Sequence, residues 1–256
     1  MLPKRRARLI GNTVASGALL AFATLLVTAV RNSAAFAGSV YLPLSRAVSG
    51  WLGFLFSFSS YAVAETLLVT ASAVLVFCLA RSVVRSVRER TAWPLLLCFT
   101  GLILCAAWVY FLFMLFWGGC YYAPKLEARL DMEPGQPTET MLVGAAESYL
   151  DDVLLYAGQV PRDGSGSVTE GGFDSLASEA VHCIRSLQLR YPDLFGGGIV
   201  THPKRAVSYP FLGMLGIAGI YCPWTGESVV NTISTAPFLP STMCHELAHR
   251  LGSAPG

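Results

Sequence analysis

Three apolar stretches set the first limit on what this chain can fold into. From about Leu9 to Val30, Tyr61 to Ala80 and Trp93 to Trp117 the sequence stays apolar for about 20 residues or more, the length a helix needs to cross a bilayer. With 54% hydrophobic and only 13% charged residues, the chain carries about half the charge of an ordinary soluble domain. A lipid bilayer is therefore the first expected partner. The net charge of +2 supplies no global attraction to nucleic acid, and no nucleic-acid partner is expected.

The basic residues predict an orientation. Lys4, Arg5, Arg6 and Arg8 precede the first apolar run, and Arg81, Arg85, Arg88 and Arg90 fill the segment between the second and third. Both clusters are expected on the cytoplasmic side, which sends everything after Trp117 to the far side of the membrane. The expected location is thus a multi-pass protein of the cell membrane with a cytoplasmic N-terminus. The basic start also suits a signal peptide, but the run is long and "RNSAAFAGS" is a weak cleavage site, so it reads as an anchor. The aromatic stretch "WLGFLFSFSSYAV" from Trp51 reads as a surface segment or a lead into the second span. Glu65, near the start of that span, is tolerable close to an interface and costly at mid-depth.

Beyond Trp117 the composition changes. "APKLEARLDMEPGQPTET" is charged and proline-containing, and reads as a linker. Thr138 suits the cap of a helix in which Leu142, Ala146, Tyr149, Val153 and Tyr156 recur at helical spacing. "PRDGSGSVTEGG" is loop-like, and a second amphipathic helix places Phe173, Leu176, Ala177, Ala180, Val181, Ile184 and Leu187 on one side before Pro192. Both helices are expected to build a packed core. Residues 206 to 222 are apolar enough to suggest a fourth span, which would return the C-terminal segment to the cytoplasm. Pro210, Gly213, Gly216, Gly219 and Pro223 argue instead for short strands, Ile217 to Tyr221 and Ser228 to Ile233, around a turn at Pro223 to Gly226.

The chemistry is concentrated in "STMCHELAHRLG", residues 241 to 252. On a helix, residues four apart share a face, so His245 and His249 would offer two imidazoles to one metal ion. Pro240 and Ser241 suit a helix start, Leu247, Ala248 and Leu251 its propagation, and Gly252 with Pro255 its stop. A catalytic zinc uses three protein ligands and a water, and Glu246, one residue past the first ligand, would serve as the base acting on that water. Two of the chain's 4 histidines lie in this motif. The bland alternative is a chance pair of histidines with a solvated Glu246. Cys244 points about 100° away from His245 on a helix and reads as packing, as do the isolated His182 and His202. A third ligand would come either from upstream, Glu227 being the candidate, or from residues beyond 256.

The seven cysteines show no C-x-x-C pairing. Cys78, Cys98 and Cys105 sit in apolar runs as small hydrophobes, while Cys120, Cys183 and Cys222 would permit a disulfide on an oxidising side.

The residues "KRAVSYPFLGMLGIAGIYCPWTGESVVNT" and "PFLPSTMCHELAHRLGSAPG" resemble a bacterial family grouped as domain of unknown function 3810. The shared features are G-I-Y-x-P-x-T-G-E (Gly219 to Glu227), V-N-T (Val230 to Thr232) and C-H-E-x-A-H-x-x-G (Cys244 to Gly252). "FWGGCYYAPKL", residues 116 to 126, is similar to the family's segment after its last span. The resemblance implies a few N-terminal spans and an extracytoplasmic zincin-like domain, with His245 and His249 as zinc ligands and Glu246 as base. It also implies a later glutamate as third ligand. This sequence has Ser253 where an aromatic is usual, and such a glutamate would lie past residue 256.

The expected fold class is mainly α: three N-terminal transmembrane helices in residues 1–117, then an α+β zincin-like extracytoplasmic domain in 118–256, cut short at its C-terminus. The expected function is a membrane-anchored zinc metallopeptidase whose peptide or protein substrate the sequence does not specify. The alternative is a non-catalytic membrane protein with a degenerate metal site that binds or senses. A transporter would need ionisable groups facing a pathway inside the spans, and Glu65 is the only candidate.

Overall fold

The computed structural model describes residues 2–130, 135–166, 171–233 and 238–252. Long apolar runs without interior proline form continuous helices. These are α1 (Leu2–Asn32), α2 (Leu42–Leu55), α3 (Val63–Glu89) and α4 (Trp93–Phe116), followed by α5 (Glu139–Ala157), α6 (Phe173–Arg190) and α7 (Leu239–Arg250). Short helical pieces and a small sheet fill the intervals. Helices α1, α3 and α4 are long and apolar enough to cross a membrane. At 1.5 Å per residue the shortest, α4, is about 36 Å long. Helix α3 buries no residue, and Leu68, Val69, Val76, Phe77 and Val84 stand exposed along it, as lipid-facing side chains do. It runs past Ala80 through Arg81, Arg85 and Arg88, since arginine is a good helix former and its long side chain reaches out of the apolar layer. Arg5 at the start of α1 meets Glu89 at the end of α3 at 2.9 Å, so the basic residues of both elements gather at one end of the bundle.

The opposite ends of the three helices are fixed to the rest of the molecule. After α1 the chain makes a short turn (Ala34–Phe36) and a π-helical turn (Ala37–Tyr41), whose wider winding directs Tyr41 inward. The Tyr41 hydroxyl donates to the Met114 carbonyl at 2.7 Å and accepts from the Gly119 N–H at 2.8 Å, tying α1 to the end of α4. A Cβ at Gly119 would overlap the Tyr41 ring, so only glycine permits this approach. Val30, Ala37, Tyr41, Leu42, Trp117, Cys120 and Tyr221 form one buried cluster at this end.

Helix α2 is amphipathic in an inverted sense. Ser45, Arg46, Ser49, Gly50 and Gly53 are buried against the domain, while Trp51, Phe54 and Leu55 are exposed on the other side. The segment from Trp51 leads into α3, with Gly53 and Ala62 buried and Trp51, Phe54 and Phe58 exposed. The small side chains let α2 approach closely: a Cβ at Gly53 would overlap the Arg250 guanidinium.

The sheet has the order β1-β3-β2, from β1 (Lys204–Arg205), β2 (Gly219–Cys222) and β3 (Glu227–Val230). β2 and β3 are the antiparallel hairpin expected around Pro223 to Gly226, pairing Gly219 with Val230 and Cys222 with Glu227. Gly226 adopts φ 62, as the turn requires. β1 pairs parallel to β3 and has no signature in the sequence. Residues 206–222 hold a short helix (Tyr209–Met214) and β2, and no membrane-length helix. The main core joins α6, α7 and β3 through Ala177, Ala180, Val181, Ile184, Val230, Met243 and Leu247.

Helix α5 departs from expectation. Thr138 caps it, accepting from the Met141 N–H at 3.3 Å, and the helix forms at full length. Yet none of its residues is buried, and Leu142, Tyr149 and Val153 are each more than half exposed. Apolar spacing supplied the stripe, but no element faces it among the described residues.

Candidate metal centre

Helix α7 explains the placement of both histidines. Met243, Leu247 and Leu251, four residues apart, are buried in the main core. This turns the face carrying His245 and His249 outward, with His245 exposed and His249 half-buried. Their Nε2 atoms lie 3.0 Å apart, with ring centroids 4.5 Å apart at 84°. Two nitrogens at about 2.0 to 2.1 Å from one tetrahedral ion would sit roughly 3.3 Å apart, so the pair fits a shared zinc-sized ion. Ligand atoms of His245, Glu246 and His249 all fall within 4.8 Å of one another. Among the described residues no other His, Cys, Asp or Glu joins that group.

Glu246 is buried at 5% exposure, and that burial pushes its carboxyl up to about 7. It leans on β2: a Cβ at Gly219 would lie 2.7 Å from both Cγ and Oε1 of Glu246. Gly219 therefore makes room for the carboxylate, a role that the sequence, where this glycine reads as a helix breaker inside the expected strand Ile217 to Tyr221, does not mark. A carboxyl that titrates near neutrality, beside two imidazoles, is a group able to accept and return a proton.

The helix is held from several sides. The Ser228 hydroxyl donates to the Glu246 carbonyl at 2.9 Å, Trp117 Nε1 donates to the His249 carbonyl at 2.9 Å, and Arg46 Nε donates to the Leu251 carbonyl at 2.8 Å. These contacts serve carbonyls at or near the helix's C-terminal end, which need partners once buried. Gly252 closes the helix at φ 80, and Pro255, read as part of the stop, lies outside the described residues. Arg250 is buried, donating to the Ser49 and Gly50 carbonyls at 3.1 Å each and to the Thr201 hydroxyl, and burial lowers it to about 10. The Trp117 ring stands edge-on to His249 at 6.2 Å. Trp117, Ser228, Arg46 and Arg250 were not singled out from the sequence. Trp117 reads there as the end of a span, and a buried arginine has no local signature.

Glu227 does not reach the histidines. Its carboxylate pairs with Lys204 Nζ at 2.6 Å and accepts from the Val63 and Ala64 N–H groups at 3.1 and 2.7 Å. Both oxygens are thereby committed to the positive N-terminus of α3, where a carboxylate is favoured. The upstream candidate for a third ligand is thus a structural clamp. His202 lies 3.4 Å from Ser178, and His182 is exposed on α6; neither joins the pair. Cys244 packs beside the main core.

No curated protein and no solved structure matches the chain. A family model does match, over residues 39–255, and it takes in α2, the sheet and the His245–Glu246–His249 helix. The chain belongs to the family described as protein of unknown function (DUF3810).

Proposed function

We propose that this chain is a membrane-anchored zinc metallopeptidase with a zincin-like domain, acting on the membrane face opposite the arginine clusters. The observation that carries the reading is the pair of imidazole nitrogens 3.0 Å apart with a buried carboxyl one residue away on the same helix. His245 and His249 hold the ion, with the third ligand lying outside the described residues. Zinc bound there supplies Lewis acidity and acidifies water. Glu246 takes the proton from the attacking water and returns it to the departing amine, a role its place between the two histidines suits. The positive-inside rule then makes the domain extracytoplasmic.

The sheet offers a place for substrate. The Asn231 N–H donates to the Ala218 carbonyl at 2.8 Å, so the alternating ladder leaves the N–H and C=O of Gly219 and Tyr221 directed away from β3. β2 is an edge strand, and an extended peptide added there would lie beside Glu246.

The test is metal content and turnover of the purified full chain. One zinc per chain, peptide cleavage, and a Glu246→Gln variant that keeps zinc but loses at least a hundredfold in rate would support the reading. Zinc retained with no turnover would favour a metal-binding or sensing module instead. No zinc in protein whose α7 is intact would remove both.

A further inference from the structure

The site has a fixed height above the apolar helices, and that height limits what can reach it. Trp117 is the first residue after α4, and it touches the metal helix directly through the His249 carbonyl and ring. Helix α3 begins against the domain as well: Glu227 holds its first N–H groups, and Glu65 in its first turn accepts from the Val207 and Ser208 N–H groups at 2.8 and 2.7 Å. Helix α1 ends in the buried cluster that contains Trp117 and Tyr221. All three membrane-length helices therefore meet the domain without a free linker, and α7 cannot move far from the bilayer surface.

Strand β2 bridges this height. At one end Gly219 adjoins the Glu246 carboxylate. In the middle Tyr221 packs on Trp117 at 5.6 Å. At the other end the turn places Trp224 against Phe113, in the last turn of α4, at 5.9 Å. The edge on which a peptide would pair thus runs from Glu246 down to the level where α4 leaves the apolar layer. β2 itself, Gly219 to Cys222, spans roughly 10 Å at about 3.3 Å per residue, and the turn carries the chain on to Trp224.

We propose that the β2 edge receives an extended segment of another membrane-anchored polypeptide, and that the bond presented to Glu246 lies about four to six residues outside that polypeptide's own span. The proposal rests on the peptidase reading for the cut, and on the position of β2 alone for the docking. A span lying beside α4 would emerge near Phe113 and Trp224, and its next few residues would reach Gly219 when extended. Such a substrate arrives confined to the membrane plane, with its extended segment at a high effective concentration over the edge strand. A soluble peptide gains neither advantage.

The experiment uses the full chain reconstituted with zinc in phosphatidylcholine and phosphatidylglycerol vesicles. Three probes are compared: a single-span reporter with a randomised ten-residue segment directly outside the span, the same reporter with a ~20-residue glycine-serine spacer inserted before that segment, and the segment as a soluble peptide. The directly tethered reporter is expected to be cut at least tenfold faster than the other two, with products mapping within about six residues of the span. Equal rates for all three would overturn the proposal and leave the peptidase reading standing. In parallel, a Glu246→Gln chain with a photocrosslinking residue at the half-exposed Ile220 of β2 is expected to capture the tethered reporter in preference to the soluble peptide. Capture without any cleavage by the unmodified chain would uphold the docking and sink the peptidase reading. Neither capture nor cleavage would sink both.

Discussion

Helices α5 and α7 teach opposite lessons about the same sequence signals. α5 has 19 residues, a capping threonine and a broad apolar stripe, yet it buries nothing. α7 has 12 residues and a mixed composition, yet Leu239, Met243, Glu246, Leu247 and Arg250 are all buried within it. The difference lies in the neighbours. α7 is enclosed by α6, α2, the sheet and Trp117, so even its charged residues are withdrawn from water and must find partners there. α5 follows a charged, proline-containing segment and meets no surface of matching shape among the described residues. Apolar periodicity states that a helix is able to pack; it does not state that a partner stands opposite.

The largest effect that would sharpen this contrast is Leu247→Ala. This side chain is fully buried, and its truncation should cost about 3 kcal/mol, read by denaturant unfolding of the detergent-solubilised chain. A cost below about 1 kcal/mol would mean that α7 is not held as described.

The pH dependence of the metal-free chain comes next. Glu246 is raised from its ordinary 4.5 to about 7 by burial, so between those values the folded state binds more protons than the unfolded one. Stability should therefore be fully present below about pH 4.5 and fall as pH rises towards 7, by roughly 2 kcal/mol. Glu246→Gln should flatten that slope, which unfolding curves at a series of pH values would record.

Arg250→Met fills much of the same space but removes the guanidinium that donates from α7 to the Ser49 and Gly50 carbonyls of α2. An expected loss of about 2 kcal/mol follows from the charge-assisted hydrogen bonds lost to those carbonyls and to the Thr201 hydroxyl. The same variant should loosen α2 from α7, seen as faster amide exchange in residues 42–55.

The smallest effect is expected in α5. Leu150→Ser, at 57% exposure, should change stability by less than about 0.5 kcal/mol. A cost near that of Leu247→Ala would show that α5 is covered in the membrane-embedded protein, and would break the comparison outright.

Much of the frame could be read in advance. The three membrane-length helices, the helix over residues 239–250, the hairpin around Pro223 to Gly226 and the shared face of His245 and His249 all follow from local periodicity, breaker residues and spacing. The ends of elements were less legible: α3 runs to Glu89 because arginines extend a helix beyond its apolar stretch. Glu227 shows where reading from the sequence stopped. An acidic residue in a strand near a two-histidine motif suggests a ligand, and only the fold reveals Lys204 and the start of α3 already holding it. Trp117 behaves likewise, closing an apolar run by composition and supporting α7 by position.

By itself, the sequence determined most of the long helices, though not α2, which segments are apolar enough for a bilayer, and that two imidazoles fall one helical turn apart. These properties depend on residues within about four positions of one another, where backbone geometry leaves little choice. The tertiary structure alone decided that the segment between the first two apolar helices packs against α7, that Glu246 is buried beside Gly219, and that β2 runs down to the end of α4. Each of those facts joins residues from 27 positions apart, for Gly219 and Glu246, to 205, for Arg46 and Leu251. Contacts at such separations arise from the shapes and buried polar groups of whole elements, which no local pattern encodes.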